Sequence, residues 1–147
     1  MRRPVVVRVC AVILRGTRVL MVRHVEERRE FWTLPGGGVE AGETPAQAVL
    51  REVAEETRLA GTVGPVLYER AYRSVDDRDV LETCFLVEVS PDARPEKGFD
   101  PELAADARVI RQVGWRDLSL LADDRQVSLA LPHLNRLSIC RDSGLEF

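Results

Sequence analysis

The sequence has no excess of basic residues. Against 21 lysines and arginines stand 24 aspartates and glutamates, a formal net charge of −3 over 147 residues. Such a chain offers no cationic field to a long polyanion, which argues against extended nucleic acid or an anionic membrane surface as its partner. Paired cysteines are lacking too. Cys10, Cys84 and Cys140 are scattered and odd in number, with no CxxC spacing for a zinc site or a redox motif, and a reducing, cytoplasmic setting is expected. No window approaches the roughly 18 uninterrupted apolar residues of a membrane span. The opening MRRPVVVRVCAVILRG is broken by Arg8 and followed by no small-residue cleavage site, so it reads as a strand and not as a leader. There is no internal repeat, low-complexity tract or linker, and one domain over residues 1–147 is expected, of a size that needs no metal or disulfide staple.

What is present is enough apolar material for a core, 45% hydrophobic against 31% charged, a balance that excludes disorder. Residues 5–14 are β-branched and almost continuously apolar, the pattern of a strand covered on both faces. A turn at Gly16 and a second strand from Val19 to His24 make a hairpin, and VEERRE is expected to loop towards Phe31 and Trp32. The proline and four glycines between Pro35 and Gly42 predict an irregular loop that lets backbone approach closely. Further strands are expected at 62–73, at 80–89 and in ARVIRQVGW, with one or two short helices in the tail whose limits Pro132 obscures. Strands before and after a central helix indicate an α/β fold with a mixed sheet packed by helices.

That central helix is well signalled. Thr44 is the N-cap, Pro45 the first helical residue and Gln47 the partner of a capping box. Ala46, Val49, Leu50 and Val53 recur at helical spacing and predict its buried face. Glu52, Glu55 and Glu56 stand at i, i+3 and i+4, where like charges repel by roughly 0.2–0.5 kcal/mol per pair. Their stripe is expected to border the buried face, at the rim of a cleft. Carboxylates gathered beside a glycine-rich loop suit a hard divalent cation, which would offset the repulsion. Arg51 is placed to pair with the loop acid Glu43 or with Glu55, tying loop to helix.

These positions carry a resemblance. From Gly37 to Leu59 the sequence is similar to the Nudix box: G, five residues, E, seven residues, R-E-apolar-x-E-E-x-G-apolar. Gly37, Glu43, Arg51, Glu52, Val53, Glu55, Glu56 and Leu59 fall in register, and the lead-in FWTLPGGG also looks like the family's approach to the box. One position departs: Arg58 replaces the family's last glycine. A residue just past a helix end usually takes a left-handed backbone there, and the helix end is expected to adjust around Arg58.

The resemblance implies a Nudix-type α/β/α sandwich and hydrolysis of a nucleoside diphosphate linked to another group X, as in a nucleoside triphosphate, ADP-ribose or a sugar nucleotide. It implies Mg²⁺ or Mn²⁺ held by Glu52, Glu55, Glu56 and the Gly37 carbonyl, with Glu52 alternatively orienting or deprotonating the attacking water and Arg51 and Glu43 keeping the geometry. Family members use a further late glutamate as base or ligand. Glu102, Glu96 and Glu82 are the candidates, Glu102 first because of its loop position. Arg23, Arg70, Arg73 and Trp32 are candidates for contact with substrate, although a tryptophan after phenylalanine at a strand start more often belongs to the core. His24 and His133 are isolated and read as surface or strand-end residues, and Cys10 and Cys84 as inert packing. The rival reading is a Nudix-fold sensor that binds a nucleotide diphosphate without turnover, and Arg58 is the one feature favouring it. Processing of short RNA ends is a third. Dimers are common among relatives, and nothing in the sequence establishes or excludes one.

Overall fold

The computed structural model describes residues 4–26, 28–97 and 108–137. In chain order the elements are β1 (Val6–Val12), β2 (Leu14–Arg15), β3 (Arg18–Glu26), β4 (Arg29–Thr33), β5 (Gly36–Gly38), α1 (Pro45–Thr57), β6 (Gly61–Arg73), β7 (Asp79–Val89), β8 (Arg108–Asp117) and α2 (Arg125–Arg136), with a 3-10 turn at Leu118–Leu120. A mixed sheet runs β5-β1-β7-β6, parallel only between β1 and β7. A second, antiparallel sheet is centred on β3, which pairs with β2, β4 and β8.

The continuous apolar run of β1 is explained by its position inside the mixed sheet. Val9, Ala11 and Ile13 point to one face and join Val49, Val53, Phe85 and Val87 against α1. Cys10 and Val12 point to the other and join Leu67, Tyr68, Cys84 and the α2 residues Val127, Leu131 and Leu134. Both faces are covered, giving the expected α/β/α sandwich. Cys10 and Cys84 are buried thiols in register on neighbouring strands, and burial pushes the Cys84 thiol well above its ordinary pKa, consistent with a packing role.

Several local expectations are corrected. The glycine run is a short strand and not an irregular loop: Gly36, Gly37 and Gly38 pair with Cys10, Val9 and Arg8. A Cβ at Gly36 would collide with the Val9 carbonyl oxygen and the Cys10 Cα, so glycine is what allows β1 to take a partner this close. The charged stretch VEERRE is mostly strand, because β3 continues to Glu26 and β4 begins at Arg29. His24 is 5% exposed and stacked on Phe31 with ring centroids 5.5 Å apart, not a surface residue.

Pro132 lies within α2 instead of ending it. An internal proline costs about 3 kcal/mol, whereas burying Val127, Leu131 and Leu134 stabilises by about 1.5–3 kcal/mol each, so packing prevails. No helix among the described residues is long and apolar enough to cross a membrane.

Candidate active site

The capping box forms as its residues predict. Thr44 Oγ1 accepts from the Gln47 N–H at 3.1 Å, and Gln47 Oε1 accepts from the Thr44 N–H at 2.9 Å. The helix it starts is rotated further towards its acids than apolar spacing suggests. Ala48, Val49 and Val53 are buried, but so are Glu52 at 0% and Glu56 at 1% exposure, while Leu50 is only half-buried. Two of the three glutamates therefore lie within the buried face and not at its border.

Buried carboxylates need donors. Glu56 Oε1 accepts the backbone N–H of Gly36 at 2.8 Å. Glu52 packs directly on Gly37, where a Cβ would come within 2.5 Å of its Oε1. The strand that replaces the expected loop is thus the floor on which two of the carboxylates rest.

Arg51 organises the rest. Sequence spacing leaves it a choice between Glu43 and Glu55, and the structure has it bonded to both. Its Nε and Nη2 donate to the two oxygens of Glu43 at 2.9 and 2.7 Å, a bidentate pair. Its Nη1 reaches Glu52 at 3.0 Å and Glu55 at 3.2 Å, and its Nη2 also donates to the Gly38 carbonyl at 2.9 Å. This guanidinium, set among the acids, offsets the i, i+3 and i, i+4 repulsion. Hydrogen bonding from Arg51, aided by the Glu40 N–H, lowers the Glu43 pKa to about 2, and Glu43 in turn raises that of Arg51. The site is fastened to α2 as well, where Gln126 Oε1 accepts from the Leu34 N–H at 3.0 Å and from Thr33 Oγ1 at 2.8 Å. Gln126, Gly36 and Gly38 escaped sequence reasoning because their contributions pass through backbone groups or a distant element.

Among the described residues no three acidic side chains stand close enough to form a ready-made cage, and Arg51 Nη1 bridges Glu52 and Glu55 instead. The donor set is nevertheless all oxygen: three carboxylates beside a glycine backbone. Mg²⁺ and Mn²⁺ favour carboxylates completed by waters and substrate phosphates over full protein cages, so the residues fit such an ion.

At the end of α1, Arg58 does not force an adjustment. It takes the left-handed backbone itself, φ 64° and ψ 17°, and its N–H bonds the Ala54 carbonyl.

The remaining candidates are scattered. Glu102 lies outside the described residues. Glu96 is exposed, and its N–H binds the Thr57 carbonyl at 2.8 Å, docking its segment on the end of α1. Glu82 is buried on the sheet face turned away from α1, where Tyr68 Oη donates to it at 2.7 Å and Arg70 Nε at 2.9 Å. It is not brought to the three helix glutamates. Arg23 pairs with Glu30 and Gln112, and Arg73 with Asp77 and Asp79. Trp32 packs at the edge of the core beneath the Arg116 guanidinium, 5.0 Å from its ring centre.

Comparison with known proteins agrees first on the architecture. The structure superposes on a NUDIX hydrolase from Nitrosomonas europaea with a TM-score of 0.72 at 19% identity, covering 98% of this chain and 97% of that one. The family follows from sequence: residues 3–131 match the NUDIX domain, and the chain belongs to the Nudix family. It is 33% identical over 120 residues to an ADP-ribose pyrophosphatase of Methanocaldococcus jannaschii, covering 71% of this chain and 69% of that protein. It is also 41% identical over 86 residues to an octanoyltransferase of Myxococcus xanthus, 56% of this chain but only 24% of that protein's length.

Proposed function

We propose that this chain hydrolyses the diphosphate linkage of a nucleoside diphosphate joined to another group X, with Mg²⁺ or Mn²⁺ held by Glu52, Glu55, Glu56 and the Gly37 carbonyl. Nudix enzymes generally need a divalent metal, and one bound here would neutralise the diphosphate and acidify a water. The observation that carries the reading is the carboxylate pair Glu52 and Glu56, buried against the glycine strand and bracketed by the Arg51–Glu43 clamp.

In this scheme Glu56 is oriented by the Gly36 N–H and Glu52 by Arg51 and the surface of Gly37. Glu43 is suited to holding geometry and not to carrying a proton, since both its oxygens accept from Arg51 and a carboxyl held near a pKa of about 2 is a weak base at working pH. It holds Arg51, and Arg51 holds Glu52 and Glu55. The substrate range of nucleoside triphosphates, ADP-ribose and sugar nucleotides is supported at one point by the relative named as an ADP-ribose pyrophosphatase. The sensor reading loses its one supporting feature, because Arg58 adopts the backbone a glycine would take and leaves the three carboxylates on a regular helix.

The test is phosphate release from a panel of these compounds with Mg²⁺ or Mn²⁺ and an EDTA control. Turnover of one class should vanish with EDTA and fall about 10²-fold or more in Glu56→Gln. Undiminished turnover in Glu56→Gln would reject the assignment.

A further inference from the structure

The mixed sheet ends on one side in β6, whose outer edge is paired with no strand among the described residues. An open edge is a template for another chain, and folded proteins usually break it up with proline, bulges or charge. The first half of β6 is broken up in this way. Gly64 and Pro65 fall there, and the pairing with β7 slips between Val63 and Val66 and again between Val66 and Tyr68. From Tyr68 to Arg73, however, the strand runs in unbroken register against Cys84 to Asp79, with neither proline nor glycine. Glu69, Ala71 and Arg73 are exposed there on the face that carries α1, in line with the exposed Leu81 and Val7 of the strands behind.

The order of charges along this half selects its partner. Acid, alanine and base follow one another on one face, at Glu69, Ala71 and Arg73, with Arg70 and Tyr72 on the other. Such a run is complementary to itself when turned antiparallel about a two-fold axis at Ala71. Glu69 of each copy then stands opposite Arg73 of the other, and Arg70 opposite Tyr72. Opposite charges directly across an antiparallel pair attract and like charges repel, and the neighbouring registers fail on that count. An axis at Arg70 sets two arginines face to face, and an axis at Tyr72 leaves Glu69 opposite Val75. Glu69 makes no ion pair among the described residues. Those of Arg73 with Asp77 and Asp79 join exposed groups, which hold one another weakly and can share the cation.

We infer that β6 pairs with β6 of a second copy of this chain, antiparallel about Ala71, so that two four-stranded sheets become one continuous sheet. The glycine strand lies at the opposite edge, about three strand spacings or roughly 14 Å away, and stays open in both copies. The contact is short and has no apolar core, so the dimer is of the small, exchanging kind, dissociating at about 10–100 µM.

The experiment is sedimentation equilibrium of the full chain from about 5 to 300 µM at low salt, a range in which the unaltered chain should dimerise. Glu69→Arg and, separately, Arg73→Glu place like charges across the axis, and each should weaken self-association about tenfold or more. An equimolar mixture of the two variants restores opposite charges between unlike copies and should dimerise as the unaltered chain does. Ala71→Glu touches no ion pair of the turn and sets two acids together on the axis. It should abolish the dimer, and it covers the case in which Arg73→Glu disturbs the turn. A chain that stays monomeric throughout, a dimer left intact by Glu69→Arg or by Ala71→Glu, or a mixture of folded variants that stays monomeric would overturn the inference.

Discussion

Replacing Arg51 by methionine tests the logic of the site most directly. The substitution keeps the stem and removes the hydrogen bonds donated to both oxygens of Glu43, to Glu52, to Glu55 and to the Gly38 carbonyl. The acceptors suffer unequally. The side chains of Glu43 and Glu55 are 14% and 24% exposed and can turn to water, but that of Glu52 is 0% exposed and cannot. Most of the cost therefore comes from Glu52. Taking a charged partner from a buried carboxylate costs up to about 3–5 kcal/mol, and because the Arg51 side chain is itself 20% exposed, about 2–4 kcal/mol is expected. Urea unfolding at neutral pH should show the midpoint lowered by about 1–3 M, given slopes of about 1–3 kcal/mol per molar. Adding Glu52→Gln to Arg51→Met removes the stranded charge and should restore more than half of the loss. A single-variant loss under about 1 kcal/mol, or a double variant no more stable than the single, would refute the claim that Arg51 acts by neutralising Glu52.

Glu43 should titrate at about 2 in the folded chain and return towards its ordinary value of about 4.5 in Arg51→Met, as followed by carboxyl NMR. Its folded pKa is depressed, so the stability it contributes is complete above the unfolded value and is lost as pH falls from about 4.5 through about 2. Gly37→Ala would press a methyl group against the Glu52 carboxylate. Metal-dependent turnover should drop at least about tenfold, with stability lowered by about 1–3 kcal/mol, and unaltered kinetics would deny Gly37 its place beside the acids. Arg58→Gly relieves a left-handed non-glycine residue and should stabilise by about 1 kcal/mol. That corresponds to a thermal midpoint higher by about 2–4 °C, and a lower midpoint would mean that Arg58 side-chain contacts outweigh the backbone strain.

The cap, the limits of α1, the two long strands β6 and β7 and the double-faced character of β1 were all determined by the sequence, because each depends on local preference or on a simple apolar period. The box residues were legible for the same reason: they lie within 23 consecutive positions, and helical spacing brings Glu52, Glu55 and Glu56 to one side. Tertiary structure alone decided how deeply those acids are buried. Rotation of α1 on the sheet sets that depth, and the apolar positions of a single helix specify the rotation only within tens of degrees. Pairing decided that the glycines form a strand, since the edge of β1 that they fill lies nearly thirty residues away. Packing likewise kept Pro132 inside α2 and placed His24 indoors. Alternation on β7 put Glu82 on the face opposite Glu52 and beside Arg8, where Tyr68 and Arg70 bind its carboxylate, because a strand's neighbours, unlike its faces, are chosen by residues far along the chain.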